Sequence, residues 1–246
     1  MLKGVLFDVH DTLVRKDRQG MEQSIRGLVE FLQGQGYGVD ISDFVPAWKQ
    51  AVVRHSPAVA GTDEVSFYGW WGELLEGVGI PNASTDLMDR ANAAWWEPFR
   101  HATTPLPHAA ETLPALKAMN LLLAVVSNSL SRNTASDLRA TALLDYFDAL
   151  YISSDVGKRK PDPLIYNAAL DGLGLRPEHV IMVGDNPRED VFGAQRVGIR
   201  AVMVQSDSAA PSRSWGELLG TSDQPPAIPD WTITDLAELL DIVAAL

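Results

Sequence analysis

Four polar residues stand at comparable places in this chain. Asp8 closes the apolar run Val5-Leu6-Phe7, and Ser127 closes Leu121–Val126. Asp185 follows Val180–Val183 through Gly184, and Lys160 lies in the polar stretch after Ala149–Ile152. Singly each has a plain explanation: a turn-forming Asp, a strand-end Ser, a surface lysine before a proline. Together they make a different proposition. Asp8 and Asp185 are oxygen donors suited to a hard divalent cation such as Mg²⁺, which often takes only one or two carboxylates plus water and substrate phosphate. Lys160 supplies a fixed positive charge. Ser127 and Asn128 supply donors that this reading puts at the start of a helix, a natural place for an anion. A cation, a lysine and neutral donors around a carboxylate suit a phosphoryl group. With phosphate repulsion screened, Asp8 can attack phosphorus as a nucleophile.

That chemistry requires the four tips to meet, so the elements carrying them matter. The apolar runs are continuous, as in strands covered on both faces. Helical stretches are read at about His108–Met119, Ser131–Leu144, Leu164–Leu173 and Val191–Val197, the last closed by Gly198. A further strand is read at Ile199–Val204. Strands alternating with helices imply right-handed crossovers and a parallel sheet. Such a sheet gathers its strand C-termini along one edge, where open α/β folds bind ligands.

Between Asp8 and Ser127 the period changes to that of helices. Ile25, Leu28, Val29 and Leu32 share one face; Phe44, Trp48, Ala51 and Val52 share a second, with Ser42-Asp43 as the N-cap. Ser66 precedes the stripe Phe67, Trp70, Trp71, Leu74, Leu75, Val78. Ser84-Thr85 caps a fourth helix carrying Leu87, Met88, Ala91, Ala94 and Trp95. Five of the seven Trp lie in this stretch and read as the core of a helical bundle. Arg18, Arg54, His55 and Tyr68 on this insert read as surface residues before substrate contacts. The division is 1–16 with 100–246 as an α/β core and 17–99 as a helical insert. Val14–Gly20 reads as a polar loop and Ser206–Pro229 as a long excursion. Trp231–Leu246 reads as a closing amphipathic helix with Leu236, Leu239, Leu240 and Val243 inward.

Composition narrows the function classes. The 246 residues carry a formal net charge of −12 and no long run of like charge, which disfavours nucleic acid and acidic membrane surfaces as partners. There is no Cys, so thiolate catalysis, disulfides and Cys-ligated metal are excluded. No segment approaches the ~20 apolar residues of a membrane span, and the apolar run at the N-terminus is too short for a signal sequence. The chain reads as soluble and cytoplasmic.

On these residues the sequence resembles the haloacid dehalogenase-like (HAD) hydrolase superfamily. The family's phosphatases begin with Asp-x-Asp-Gly-Thr, and this chain has Asp8-Val9-His10-Asp11-Thr12. A Ser or Thr after the second strand is matched by Ser127. A Lys, often followed by Pro-Asp-Pro, is matched by Lys160-Pro161-Asp162-Pro163. Gly-Asp with a later acid is matched by Gly184-Asp185 and Asp190, with Glu189 as a neighbouring competitor. The resemblance implies a Rossmann-like core with a parallel β-sheet flanked by helices, plus an inserted all-α cap domain of the C1 type. It implies a Mg²⁺-dependent hydrolase of a small phosphorylated substrate. Asp8 would form an aspartyl-phosphate. Asp8, Asp185 and the His10 main-chain carbonyl would hold the metal, Ser127 and Lys160 the phosphoryl group, and Asp190 would order Lys160 or the metal's water; Asn128 is a further candidate for the phosphoryl group from its place beside Ser127.

The departure from the pattern is His10. The family's second Asp, an acid/base, stands there, and here an Asp occupies the next position, usually Gly. Three readings follow. His10 is the acid/base, with a reference pKa of ~6.5 that suits both donation and abstraction. Asp11 reaches in from its neighbouring position. Or the step is weakened, and the protein binds phosphoryl groups or regulates. A 2-haloacid dehalogenase using the same Asp8 is a further alternative, against which stand the two acids at Asp185 and Asp190.

Overall fold

A computed structural model of the protein describes residues 1–16, 18–54, 61–205 and 227–246. Six parallel strands form one sheet: β1 (Gly4–Phe7), β4 (Leu122–Ser127), β5 (Ala149–Ile152), β6 (Val180–Gly184), β7 (Arg200–Val204) and β8 (Trp231–Ile233). Their order is β5-β4-β1-β6-β7-β8. The order reverses between β1 and β6, the Rossmann-type arrangement in which ligands bind beyond the strand C-termini at the reversal. Leu6 pairs with Ala124 on one side and Met182 on the other, so Asp8 emerges from one of the two central strands.

The continuous apolar runs serve two faces at once. Val5, Phe7, Leu123, Val125, Ile181, Val183 and Val202 face one apolar cluster, filled out by Leu113, Leu116 and Leu239 from helices. Leu6, Ala124, Val126, Val180 and Met182 face another with Ile165, Tyr166 and Leu170. The alternation follows the two-residue period of the strand, and both faces are covered.

Among the described residues four helices lie between β2 (Val14–Lys16) and β3 (Thr103–Pro105): α1 (Arg18–Gly34), α2 (Ile41–Arg54), α3 (Phe67–Gly77) and α4 (Thr85–Ala102). They bury a core of their own, with Leu28, Leu32, Phe44, Trp71, Leu74, Leu75 and Trp95 at its centre. Trp48, Trp70 and Trp96 pack against it. Ser66 and Ser84 cap α3 and α4 by accepting from Gly69 N and Leu87 N. Among the described residues no helix is long and apolar enough to cross a membrane.

Several boundaries differ from the sequence reading. Val14–Lys16 is a strand, antiparallel to Thr103–Pro105; neither segment is apolar enough to announce itself. Trp231–Ile233 pairs with β7 as the sheet's edge strand, which shortens the expected closing helix to Leu236–Ala244. After α5 (Ala109–Ala118), the helix α6 (Ser131–Ala140) stops before Leu144, and Ala142 takes a positive φ. Helix α2 starts at Ile41 with the Asp40 carbonyl accepting from Asp43 N and Phe44 N, so Ser42-Asp43 lies inside its first turn. Most of the expected excursion, 206–226, and His55 lie outside the described residues.

Candidate functional site

The Asp8 main-chain N–H donates to the Val183 carbonyl at 2.9 Å, so β1 stays paired with β6 up to the acid. The chain then turns back: Asp11 N donates to Val14 O at 2.7 Å, and Leu13 N and Val14 N both donate to Val9 O. Asp11 sits at φ 59° in this turn, the left-handed conformation that explains a usual Gly there and that Asp tolerates.

The four tips meet. Lys160 Nζ donates to Asp8 Oδ1 at 2.7 Å and to Asp190 Oδ1 at 2.6 Å. Ser127 Oγ donates to the same Asp8 Oδ1 at 3.1 Å. Asp8, Asp185 and Asp190 each offer a carboxylate oxygen within 4.8 Å of the others. Thr12, fully buried, donates to Asp185 Oδ1 at 3.4 Å. Asp8 is 8% exposed, and Lys160 and Asp190 are each 1% exposed. Burial works to lower the pKa of Lys160, but the Asp190 and Asp8 carboxylates raise it well above its ordinary value, so it stays an ammonium. Burial, with Asp8 alongside, pushes the Asp190 carboxyl upward against the pull of Lys160.

Other residues hold this group in place. The Asn128 side chain clasps the main chain of Lys160: its Nδ2 donates to Lys160 O at 3.0 Å, and Lys160 N donates to its Oδ1 at 2.6 Å. Asn128, a candidate for the phosphoryl group from its sequence position, has its amide engaged with the lysine's backbone. Ser127 is the last residue of β4, paired in register with Ile152, and α6 begins only at Ser131, so neither Ser127 nor Asn128 opens the helix. Asp190 lies in the wide helical turn Pro187–Phe192, where Asn186 accepts from Arg188 N and Glu189 N and donates its own N–H to Asp190 Oδ2 at 2.9 Å. Glu189 points its main-chain carbonyl to the Tyr166 hydroxyl, and Asp190 is the acid that meets Lys160. Gly184 is required by this packing, since a Cβ there would stand 2.2 Å from the Asp190 carboxyl carbon.

His10 has a partner that sequence reasoning missed. Its Nε2 lies 2.9 Å from Oδ2 of Asp137, a fully buried acid on α6. Lys16 Nζ reaches the same Oδ2 at 2.7 Å, and Thr103 Oγ1 donates to Oδ1 at 3.4 Å. Burial pushes Asp137 upward, but the His10 hydrogen bond and the Lys16 charge hold it below its ordinary value, so it is an anion. The signal was faint: Asn133, Thr134 and Asp137 are buried on one face of α6, an unusually polar inward stripe. Asp11, the rival acid, accepts from Arg15 Nε at 3.3 Å.

The helical unit leans on the site loops. Arg159 N donates to Thr62 O at 2.8 Å, and Glu64 N to Gly157 O at 3.1 Å. Thr62 Oγ1 donates to Asp162 at 2.6 Å, and Arg132 pairs with Asp89 at 3.0 Å. These contacts bring residues 62–64 beside the Lys160 loop. Arg54 pairs with Glu73 and Tyr68 with Asp89, both on the exposed helical surface; the Arg18 side chain, like His55, is outside the described residues.

The profile of the haloacid dehalogenase-like hydrolases matches residues 2–198, most of the chain. The chain belongs to the haloacid dehalogenase-like hydrolase family. Among curated relatives, this HAD-like hydrolase is 27% identical to the ribulose-1,5-bisphosphate 5-phosphatase of Halopiger xanaduensis, over 99% of this chain and 100% of that one. It is 26% identical to the glyceraldehyde 3-phosphate phosphatase of Methanopyrus kandleri, over 100% and 99%. Among solved structures, a HAD phosphatase from Thermococcus onnurineus superposes with a TM-score of 0.68 at 23% identity, over 98% of both chains. A 2-haloacid dehalogenase from Pseudomonas syringae superposes with a TM-score of 0.70 at 24% identity, over 100% and 99%. These two likenesses speak for the fold. The relatives by sequence make this HAD-like hydrolase a phosphatase-like enzyme.

Proposed function

We propose that this HAD-like hydrolase is a Mg²⁺-dependent phosphatase that cleaves small phosphate esters through an aspartyl-phosphate on Asp8. The observation that carries the reading is convergence on one carboxylate. Lys160 and Ser127 reach Asp8 Oδ1 at 2.7 and 3.1 Å, and Asp185 stands in the same carboxylate cluster. A bare carboxylate repels a phosphate; an adjacent ammonium and hydroxyl offset that repulsion and can bind the phosphoryl oxygens. The compounds named in the relatives, ribulose-1,5-bisphosphate and glyceraldehyde 3-phosphate, are small phosphate esters and support the same substrate class.

The donor set fits a hard divalent cation. Both Asp190 oxygens are engaged, one by Lys160 and one by Asn186 N. Asp8 and Asp185, with the His10 main-chain carbonyl, would hold the ion. When bound, Mg²⁺ supplies positive charge that screens the phosphate from the carboxylates and draws charge from the phosphoryl oxygens.

Asp8 attacks phosphorus, and an O–P bond forms as the ester's bridging P–O bond breaks. Ser127 and Lys160 donate to the phosphoryl oxygens throughout. Asp190 and Asn128 keep Lys160 in place. His10 gives a proton to the departing alkoxide and then takes one from the water that attacks the aspartyl-phosphate. Inorganic phosphate leaves and Asp8 is restored. The helical unit 17–99 serves as a cap over the core, 1–16 and 100–246, excluding bulk water and large substrates.

The test is a panel of phosphate esters with and without Mg²⁺, on wild type and Asp8→Asn. Turnover that needs Mg²⁺ and disappears in Asp8→Asn is expected. Activity surviving in Asp8→Asn, or hydrolysis of 2-haloacids that persists in EDTA, overturns the proposal. His10→Ala and His10→Asp test the proton step separately: if neither alters turnover, His10 is not the acid/base.

A further inference from the structure

We infer that Asp137 is a positioning residue for His10, holding the imidazole by Nε2 so that Nδ1 is the nitrogen presented for proton transfer. The inference rests on the proposed acid/base role of His10 and adds to it a residue outside the family motifs.

An imidazole has two ring nitrogens, and only one can serve a given proton. Which one serves is decided by the hydrogen bond that the other makes. In this protein Nε2 is 2.9 Å from a carboxylate that is itself fully buried. A neutral imidazole facing an anion at that distance places its proton on Nε2, which leaves Nδ1 as the unprotonated atom. The ring is 31% exposed, so it is not sealed away with its partner.

Asp137 is unusually well fixed for this task. It sits on α6, the helix that follows the Ser127 strand. Lys16 and Thr103, which also reach its carboxylate, are direct register partners on β2 and β3. The two strands that carry the chain into and out of the helical unit thus grip the carboxylate that grips His10. Trp96, on α4, places its ring 3.6 Å from Lys16 Nζ and closes that cation on its other side. A bare structural ion pair between Lys16 and Asp137 accounts for the burial of both groups. It does not account for a third group, two residues from the proposed nucleophile, meeting the same oxygen.

Two measurements test the assignment. In wild type, side-chain ¹⁵N spectra of the five histidines, with His10 assigned by its loss in His10→Gln, should show His10 as the Nε2–H tautomer. A His10 held as Nδ1–H overturns the inference without any need for a foldable Asp137 variant. The second measurement is kinetic. Asp137→Asn should lower kcat for alkyl phosphates by ~10- to 100-fold, the range typical of partners that orient a catalytic group, with KM changed by less than about twofold. Both the departure of the alkoxide and the attack of water should slow, since His10 serves both steps. In a His10→Ala background the same substitution should add nothing. If Asp137→Asn slows His10→Ala as much as it slows wild type, Asp137 acts structurally and the inference fails alone. If His10→Ala itself turns over normally, the acid/base reading of His10 fails first. Activity in Asp8→Asn would instead sink the phosphatase reading as a whole.

Discussion

Replacing Lys160 with Met tests the electrostatic centre of the site. The ammonium is 1% exposed and lies between Asp8 and Asp190, at 2.7 and 2.6 Å. At an effective dielectric of about 20, each such pair at these distances is worth about 6 kcal/mol, so two give roughly 12 kcal/mol. The desolvation of the buried ion costs several kcal/mol of this. Removing one partner of a buried pair accordingly destabilises by about 3–5 kcal/mol, because it strands the remaining carboxylates. For a chain of this size that is a fall of ~6–20 °C in Tm. The pH dependence has a definite sign. The Asp190 carboxyl already stands at about 7, raised by burial and by Asp8 against the pull of Lys160. Without the lysine it rises further. A carboxyl raised in the folded state contributes stability in full below its unfolded value of 3.8 and loses it as pH climbs through the folded pKa. The variant should therefore be less impaired near about pH 5 than near about pH 8. In Mg²⁺ the deficit should shrink, since a bound cation replaces part of the charge that the variant lost. The assay is urea and thermal unfolding of both proteins in EDTA and in Mg²⁺ at the two pH values. A deficit under ~1 kcal/mol at the higher pH, or one that grows on acidification, refutes the reasoning.

Three further outcomes are expected. Gly184→Ala would put a Cβ 2.2 Å from the Asp190 carboxyl carbon; it should displace Asp190 from Lys160 and cut kcat by at least about tenfold, and wild-type turnover would show that the close approach is unimportant. Trp71→Ala, at a side chain 2% exposed in the helical core, should cost about 3–5 kcal/mol in urea unfolding, and a loss below ~1 kcal/mol would mean that this core is loosely packed. Asp148 accepts from Lys117 and from Leu123 N at the start of β4, and these bonds outweigh burial and hold its pKa below 3.8. Its stabilisation is present above that value and lost as pH falls through the lower folded one, so the gap between wild type and Asp148→Asn should be constant near neutrality and close in acid. A gap that widens in acid would contradict the assigned direction.

Much of this protein was legible in one dimension because strands buried on both faces must be apolar throughout. Val5–Phe7, Leu122–Val126 and Val180–Val183 could hardly be anything else, and the acid or hydroxyl that ends each run marks the sheet's C-terminal edge. Asp8, Ser127 and Asp185 followed from that rule, Lys160 from the polar stretch after Ala149–Ile152, and the caps at Ser66 and Ser84 from their own spacing. The segments that escaped are short and not apolar. Val14–Lys16 and Thr103–Pro105 are three-residue strands whose pairing depends on each other across the whole helical unit. Trp231–Ile233 becomes a strand only because β7 offers it an edge.

The same division runs through the site. Sequence alone placed Asp8, Ser127 and Asp185 at or just beyond strand ends and Lys160 in the loop after another strand, and βαβ topology carries those ends to one edge whatever lies between. Only the tertiary structure decided what each polar atom touches. Asn128 holds the backbone of Lys160, Asp190 rather than Glu189 meets its ammonium, and Asp137 on a distant helix engages His10. Such choices turn on distances of a few ångströms between residues over a hundred positions apart, as with His10 and Asp137. No periodicity records them, because a hydrogen bond depends on where two chain segments end up.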